Sequence, residues 1–182
     1  MGILEILLIG AGLAMDAVAV SMTNGMVYKN LKAGHYIAMP LLFGIFQGIM
    51  PLLGFFAGSI FAEILDKYSG IVILIILGFI GGKMIYEGIT HGNDEEKPQP
   101  KLTFTVLLFQ SVATSIDAFA VGVAFTAMKV DIIPVVTVIA VVTAVLVTAA
   151  IVVGRKMGDV LGPKAEVFGG IILVIIGIKA MF

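Results

Sequence analysis

Two carboxylates stand where a chain seldom keeps a charge. Asp16 lies in Leu-Ala-Met-Asp-Ala-Val-Ala-Val-Ser, residues 13–21, and Asp117 in Ser-Val-Ala-Thr-Ser-Ile-Asp-Ala-Phe-Ala-Val-Gly, residues 111–122. Both read Asp-Ala-x-Ala-Val followed by a small residue, and each sits near the middle of a long apolar run. Along the sequence, no basic residue comes nearer to Asp117 than Lys101 or Lys129. A lone charge at mid-bilayer costs roughly 2.5–3.5 kcal/mol even on the lenient insertion scale. Such a residue points to function, and two facing carboxylates suit a hard divalent cation such as Mg, Ca or Mn.

Neighbouring oxygens could complete the shell. On a helix, Gln110 at i−7 and Thr114 at i−3 share the face of Asp117, and Thr23 at i+7 shares that of Asp16. Ser21, Asn24, Ser111 and Ser115 are close by, and Gln47 is the strongly polar residue inside the second apolar run. The candidate metal ligands are therefore Asp16 and Asp117, with Gln47, Gln110, Thr114, Ser115, Ser21, Thr23 and Asn24 as supporting candidates. A thioether from Met15 or Met22 would favour Mn. Each has a plainer reading. A Ser or Thr hydroxyl can bond its own helix carbonyl, a Met can simply pack, and Gln47 can be interhelical glue. The aspartates could be structural partners of Lys83 or Lys179, which could otherwise snorkel to the interface. His35 and His91 lie at segment edges and are not expected to be ligands.

The elements that must hold these residues are transmembrane helices. The chain of 182 residues is 60% hydrophobic and only 13% charged, with mean hydropathy +1.15, against about 25% charged in soluble domains. Six apolar runs occupy about residues 3–26, 35–61, 69–89, 102–127, 132–153 and 165–182. Each approaches or exceeds the roughly 20 residues a spanning helix needs. The runs are continuous rather than alternating, so strands are not expected. The first run lacks the basic flank and cleavage site of a signal peptide and is expected to be retained. Glu63, Asp66 and Lys67 mark a short connection, and the polar stretch from His91 to Lys101, with Asp94, Glu95 and Glu96, has a flexible-loop composition.

Loops one, three and five hold Lys29, Lys32, Lys97, Lys101, Arg155, Lys156 and Lys164, whereas loops two and four hold Lys67 and Lys129. That bias puts the odd loops in the cytoplasm and both termini outside. Tyr28, Tyr36, Tyr68 and Tyr86 are the expected interfacial anchors, Trp being absent. The absence of Cys removes disulfides and thiolate metal sites. A net charge of −1 gives no nucleic-acid footprint. No Gly-rich loop ending in Lys-Ser or Lys-Thr is present to bind ATP.

The two halves resemble each other. Asp16-Ala17 aligns with Asp117-Ala118, Gly54 and Gly58 with Gly154 and Gly158, and Gly-Gly-Lys at residues 81–83 with Gly-Ile-Lys at residues 177–179. With three helices each, the halves would enter the membrane in opposite senses. The expected fold is an all-α integral membrane protein of six transmembrane helices in two inverted three-helix repeats, residues 1–90 and 102–182, joined by a cytoplasmic linker at 91–101. Inverted repeats place a transporter's site near the midplane at the repeat interface.

The chain resembles the MntP-type manganese efflux pumps of bacteria. The resemblance rests on the six segments, the two repeats, Met-Asp-Ala-x-Ala-Val-Ser at residues 15–21, Phe-Gly and Pro at Phe43, Gly44 and Pro51, and Thr-Ser-Ile-Asp-Ala-x-Ala-Val-Gly at residues 114–122. It implies a membrane transporter, not an enzyme, that exports Mn2+ as substrate from the bacterial cytoplasm, with Asp16 and Asp117 essential, membrane lipid around it and no cofactor. Exchange for protons is expected. Some members carry an acidic residue where this chain has Gln47. The alternatives are export of another divalent or small organic cation, or a non-transporting membrane scaffold. Oligomeric state is not legible.

Overall fold

A computed structural model describes residues 2–91, 101–127, 130–161 and 164–179. Most of the linker, including Lys97 and the acidic run at residues 94–96, lies outside the described residues, as do Lys129, Pro163 and residues 180–182. So do the side chains of Glu63, Asp66, Lys67, Tyr68 and His91.

The described residues form seven helices and no strand: α1 (Ile3–Leu13), α2 (Met15–Val27), α3 (Ala33–His91), α4 (Phe104–Ala113), α5 (Ile116–Ala127), α6 (Ile132–Leu161) and α7 (Ala165–Lys179). Four stretches are long and apolar enough to cross a membrane: Ala33–Ala57, Ile71–Thr90, Phe104–Thr126 and Ile132–Leu161. The bent pair α1 and α2 makes a fifth if taken as one span. The chain is a multi-pass membrane protein. Large side chains such as Phe56, Phe79 and Ile89 stand open on its flanks, at 74%, 74% and 72% exposure, as a lipid-facing surface requires.

Three expectations need correction. The first and fourth runs are not unbroken helices. α1 and α2 meet at a 47° bend, and Thr114 and Ser115 interrupt the fourth run between α4 and α5. The connection expected as a loop around residues 63–67 keeps helical backbone within α3. Tyr28 is not an interfacial anchor: it is 7% exposed and belongs to the core.

Local chemistry accounts for the breaks. Near the α1–α2 bend, Gly10 and Gly12 weaken the helix. Before α5, hydroxyls compete with the backbone: Ser111 Oγ donates to the Leu107 carbonyl, Thr114 Oγ1 to that of Gln110, and Ser115 Oγ to that of Ser111. Such back-bonding bends helices. Thr103 caps α4 by accepting from the Val106 amide. The His35 ring accepts from the Lys32 amide and lies 3.3 Å from the Leu102 carbonyl, tying the starts of α3 and α4 together.

α3 cannot be a straight rod, which at 59 residues would measure about 88 Å. Gly10 lies against Ile139 and Gly158 against Met26, so α6 runs parallel to α1 and α2. The arm Ala33–Ala57 runs the other way, with Gly44 against Ala140 and Gly48 against Val136. The arm Ile71–Thr90 runs antiparallel to α7, with Gly81 against Gly170 and Leu74 against Gly177. α7 is in turn antiparallel to α2, since Gly169 meets Thr23 and Val27 while Lys179 reaches Asp16. The two arms of α3 therefore run in opposite directions.

Glycine makes these crossings possible. A Cβ on Gly54 would overlap the Phe119 carbonyl, and one on Gly122 the Pro51 carbonyl. On the other side of the bundle, Gly154 and Gly25 meet the Met22 and Ile151 carbonyls in the same way. Backbone lies on backbone at both crossings, which only small residues permit. Gly54→Leu and Gly154→Leu should each cost at least about 1–3 kcal/mol from overpacking. The expected result is a lower thermal midpoint and a reduced yield of monodisperse protein in detergent. Normal yield and midpoint for both would show that the crossings can relax.

Candidate functional site

Asp16 is the second residue of α2 and Asp117 the second of α5. Each therefore lies in the first turn after a break, where the positive end of the helix dipole favours a carboxylate by about 0.3–1 kcal/mol. Asp117 Oδ1 also accepts from the Ala118 amide at 2.8 Å. Asp16 lies close enough to Asp117 to act on it electrostatically, and so does Lys179.

Neither is sealed away. The Asp16 side chain is 33% exposed, and Asp117 also keeps surface that the protein does not cover. Nor is the site without a basic neighbour. Lys179 Nζ lies 3.9 Å from Asp16 Oδ1, a proximity in space that separation along the chain conceals. Lys83 does not join them; it lies 3.7 Å from Glu87 Oε1, one turn along its own helix.

The supporting candidates separate into three groups. Asn24 and Gln110 bond to each other: Asn24 Nδ2 donates to Gln110 Oε1 at 2.8 Å and Gln110 Nε2 to Asn24 Oδ1 at 3.2 Å. Both are fully buried. Asn24 is eight residues beyond Asp16, about 12 Å along the helix. The clasp thus braces α2 against α4 a layer away from the carboxylates. Thr114 and Ser115 spend their hydroxyl protons on helix carbonyls, the plainer of the two readings their type allows. Their lone pairs stay free to accept.

The third group keeps unused oxygens. Ser21 Oγ, Thr23 Oγ1 and Gln47 Oε1 are buried without a hydrogen-bond partner. Thr23 faces α7, with its methyl against Gly169. Gln47 is both glue and candidate ligand. Its Nε2 donates to the Leu13 carbonyl at 3.0 Å, at the end of α1, while its Oε1 is left over. Pro51, four residues on, has no N–H to give the Gln47 carbonyl. Gln47 thus brings an unmet side-chain oxygen to the end of α1, three residues before Asp16. Leaving such a group unmet costs about 1–3 kcal/mol.

Sequence reasoning passed over Thr143 of α6. It is 0% exposed and its hydroxyl has no partner. It lies one turn from Ile139, which touches Gly10, and so at the level of the α1–α2 bend. A single Thr in Val-Val-Thr-Ala-Val was the available signal. Among the described residues, no group of three or more His, Asp or Glu could hold a metal. A cation held by Asp16 and Asp117 would take its remaining ligands from neutral oxygens such as these or from water. That is a hard-donor set.

Comparison with known proteins gives a consistent picture. Residues 30–181 match the family model described as "Mntp: Putative manganese efflux pump". The chain is 44% identical over 179 residues to the "Putative manganese efflux pump MntP" of Ruminiclostridium cellulolyticum, covering 98% of this chain and 95% of that one. It is 38% identical over 202 residues to the protein of the same description in Clostridium perfringens, covering 100% and 94%. It is also 38% identical over 189 residues to "Putative manganese efflux pump MntP 2" of Clostridium botulinum, covering 98% and 94%. No solved structure matches. With a family match over most of its length and relatives aligned nearly end to end, the chain belongs to the MntP family.

Proposed function

We propose that this protein is a secondary transporter that exports Mn2+ from the cytoplasm of a bacterial cell through a site built on Asp16 and Asp117. One observation carries the reading. Two carboxylates from the two halves of the chain, each in the first turn of an interrupted apolar helix, lie within electrostatic reach of each other. Broken helices beside a mid-membrane site are a recurrent transporter device. The names of the relatives supply the metal, and the oxygen-only donor set is compatible with it.

The packing supports two inverted three-helix repeats, residues 1–90 and 102–182. An offset of about 100 carries Pro51 and Gly54 onto Ile151 and Gly154, and one of about 97 carries Met22 and Gly25 onto Phe119 and Gly122. The α2–α6 crossing and the α5–α3 crossing are thus the same kind of contact made twice, one helical turn out of register with the offset of 101 that pairs Asp16 with Asp117. An offset of 96 likewise carries Gly81 onto Gly177 and Leu74 onto Gly170, so the two contacts of the α3–α7 seam exchange with each other. A pseudo-two-fold axis through that seam gives this pattern. The residue 91–101 linker is then cytoplasmic and both termini outside, from the Lys and Arg bias.

Transport is coupled to protons in this reading. Two carboxylates release protons as they take a dication, so metal binding and proton release are linked. A structural role for Asp16 as the partner of Lys179 is the competing reading, because they lie 3.9 Å apart. It is the weaker one. An exposed ion pair returns about 0–1 kcal/mol, less than the roughly 2.5–3.5 kcal/mol that one charge costs at mid-bilayer.

Asp16→Asn and Asp117→Asn keep shape and remove charge. Each should reduce Mn2+ efflux from loaded vesicles at least tenfold, and the double variant should be little worse. Near-parental efflux by either, at equal membrane level, would refute the shared site. Efflux indifferent to collapse of the pH gradient would leave the site and remove the proton. For orientation, a Cys placed at Gln99 should resist an impermeant thiol reagent added outside intact cells, and labelling there would reverse the topology.

A further inference from the structure

Lys179 is the last residue of α7, and its ammonium lies 3.9 Å from Asp16 Oδ1. Its positional counterpart, Lys83, is engaged elsewhere, 3.7 Å from Glu87. The two lysines are therefore used differently although the packing around them repeats. The Lys179 side chain is 77% exposed, so nothing packs it in place. A Lys ammonium is a compact charge on a flexible four-carbon stem, with three donors and no acceptor. It can neutralise a carboxylate but cannot share a metal's coordination shell, and a dication arriving at Asp16 repels it.

We propose that Lys179 is a tethered counter-cation of the site: it occupies Asp16 when no metal is bound, Mn2+ must displace it to bind, and its return helps expel the metal. This rests on Asp16 and Asp117 being the metal site. Two carboxylates that face each other without a cation repel; an internal ammonium relieves that repulsion in the unloaded protein. The same ammonium lowers the protein's affinity for Mn2+ by competing for one of its ligands. A transporter that must let go of its cargo gains from such a competitor. Lys179 is then a positioning and release residue, not a ligand.

The test is a split between binding and turnover. In Lys179→Met, the Kd for Mn2+ measured by equilibrium dialysis on purified full-length protein should fall roughly threefold to fivefold, the size expected for removing one competing exposed ion pair. Maximal Mn2+ efflux in vesicles should fall by at least as much. Lys179→Arg keeps the charge and should restore both toward the parent. Lys179→Gln provides the same readouts if the Met variant accumulates poorly. Unchanged Kd and efflux in the neutral variants, with Asp16→Asn inactive, would overturn the role of Lys179 and leave the aspartate site standing. Weakened Mn2+ binding in the neutral variants would also overturn it, because that is what a merely structural pair produces. An active Asp16→Asn would overturn the site and the lysine's role together.

Discussion

A carboxylate inside an apolar span must be compensated there, and the fold is arranged around that requirement. Water is absent from the bilayer core, so the compensation has to come from backbone dipoles, polar side chains or another charge. Here all three are present. The breaks before α2 and α5 put helix N-termini at Asp16 and Asp117, the Ala118 amide bonds Asp117 directly, and Lys179 stands beside Asp16. Breaking a spanning helix exposes carbonyls, which must in turn be satisfied. Gln47 reaches across from α3 to the Leu13 carbonyl, and the Ser115 hydroxyl covers the Ser111 carbonyl, whose usual partner, the Ser115 amide, turns to Val112 instead. The charge requires the break, and the break requires these polar neighbours.

This chain of requirements explains what the sequence showed and what it concealed. Asp16 and Asp117 were legible because a charge in an apolar run is conspicuous against its surroundings. The glycine crossings were legible as spacing, since Gly54 and Gly154 align when the halves are compared. The breaks were not. An interruption of one or two residues leaves the hydropathy of a 25-residue window unchanged, and Ala14 carries no turn signal. Ser-x-x-Thr-Ser before Asp117 did carry one, because hydroxyls at that spacing can each bond the turn behind them.

Three-dimensional neighbours were the least legible. Lys179 is 163 positions from Asp16 along the chain, and only the antiparallel docking of α7 on α2 brings it there. Asn24 and Gln110 each looked like a ligand on its own helix, yet they satisfy each other. Two buried amides with complementary donors and acceptors are a self-sufficient unit, and nothing in either local sequence points to the other. Thr143 was missed for the opposite reason: one Thr in a Val-rich helix usually bonds back to its own turn, and this one has no partner.

The packing also constrains how the proposed transport cycle could move. α2 lies on α6 and α5 on the first arm of α3, backbone against backbone. On the proposed repeat boundaries, each crossing joins one half to the other, so the halves are interleaved rather than side by side. Interleaved halves cannot separate as rigid bodies without opening glycine contacts that have no side chains to bridge a gap. The α3–α7 seam has glycine on both sides, at Gly81, Gly170 and Gly177, and a smooth seam can slide at small cost. The α1–α2 bend and the Thr114–Ser115 interruption are the places where a helix can change direction without losing a full ladder of hydrogen bonds. Motion at these positions would turn α2 and α5, and with them Asp16 and Asp117, while the glycine crossings hold. A cycle of this kind moves the proposed ligands relative to the rest of the bundle rather than one half relative to the other, and it places the moving parts beside the proposed metal site.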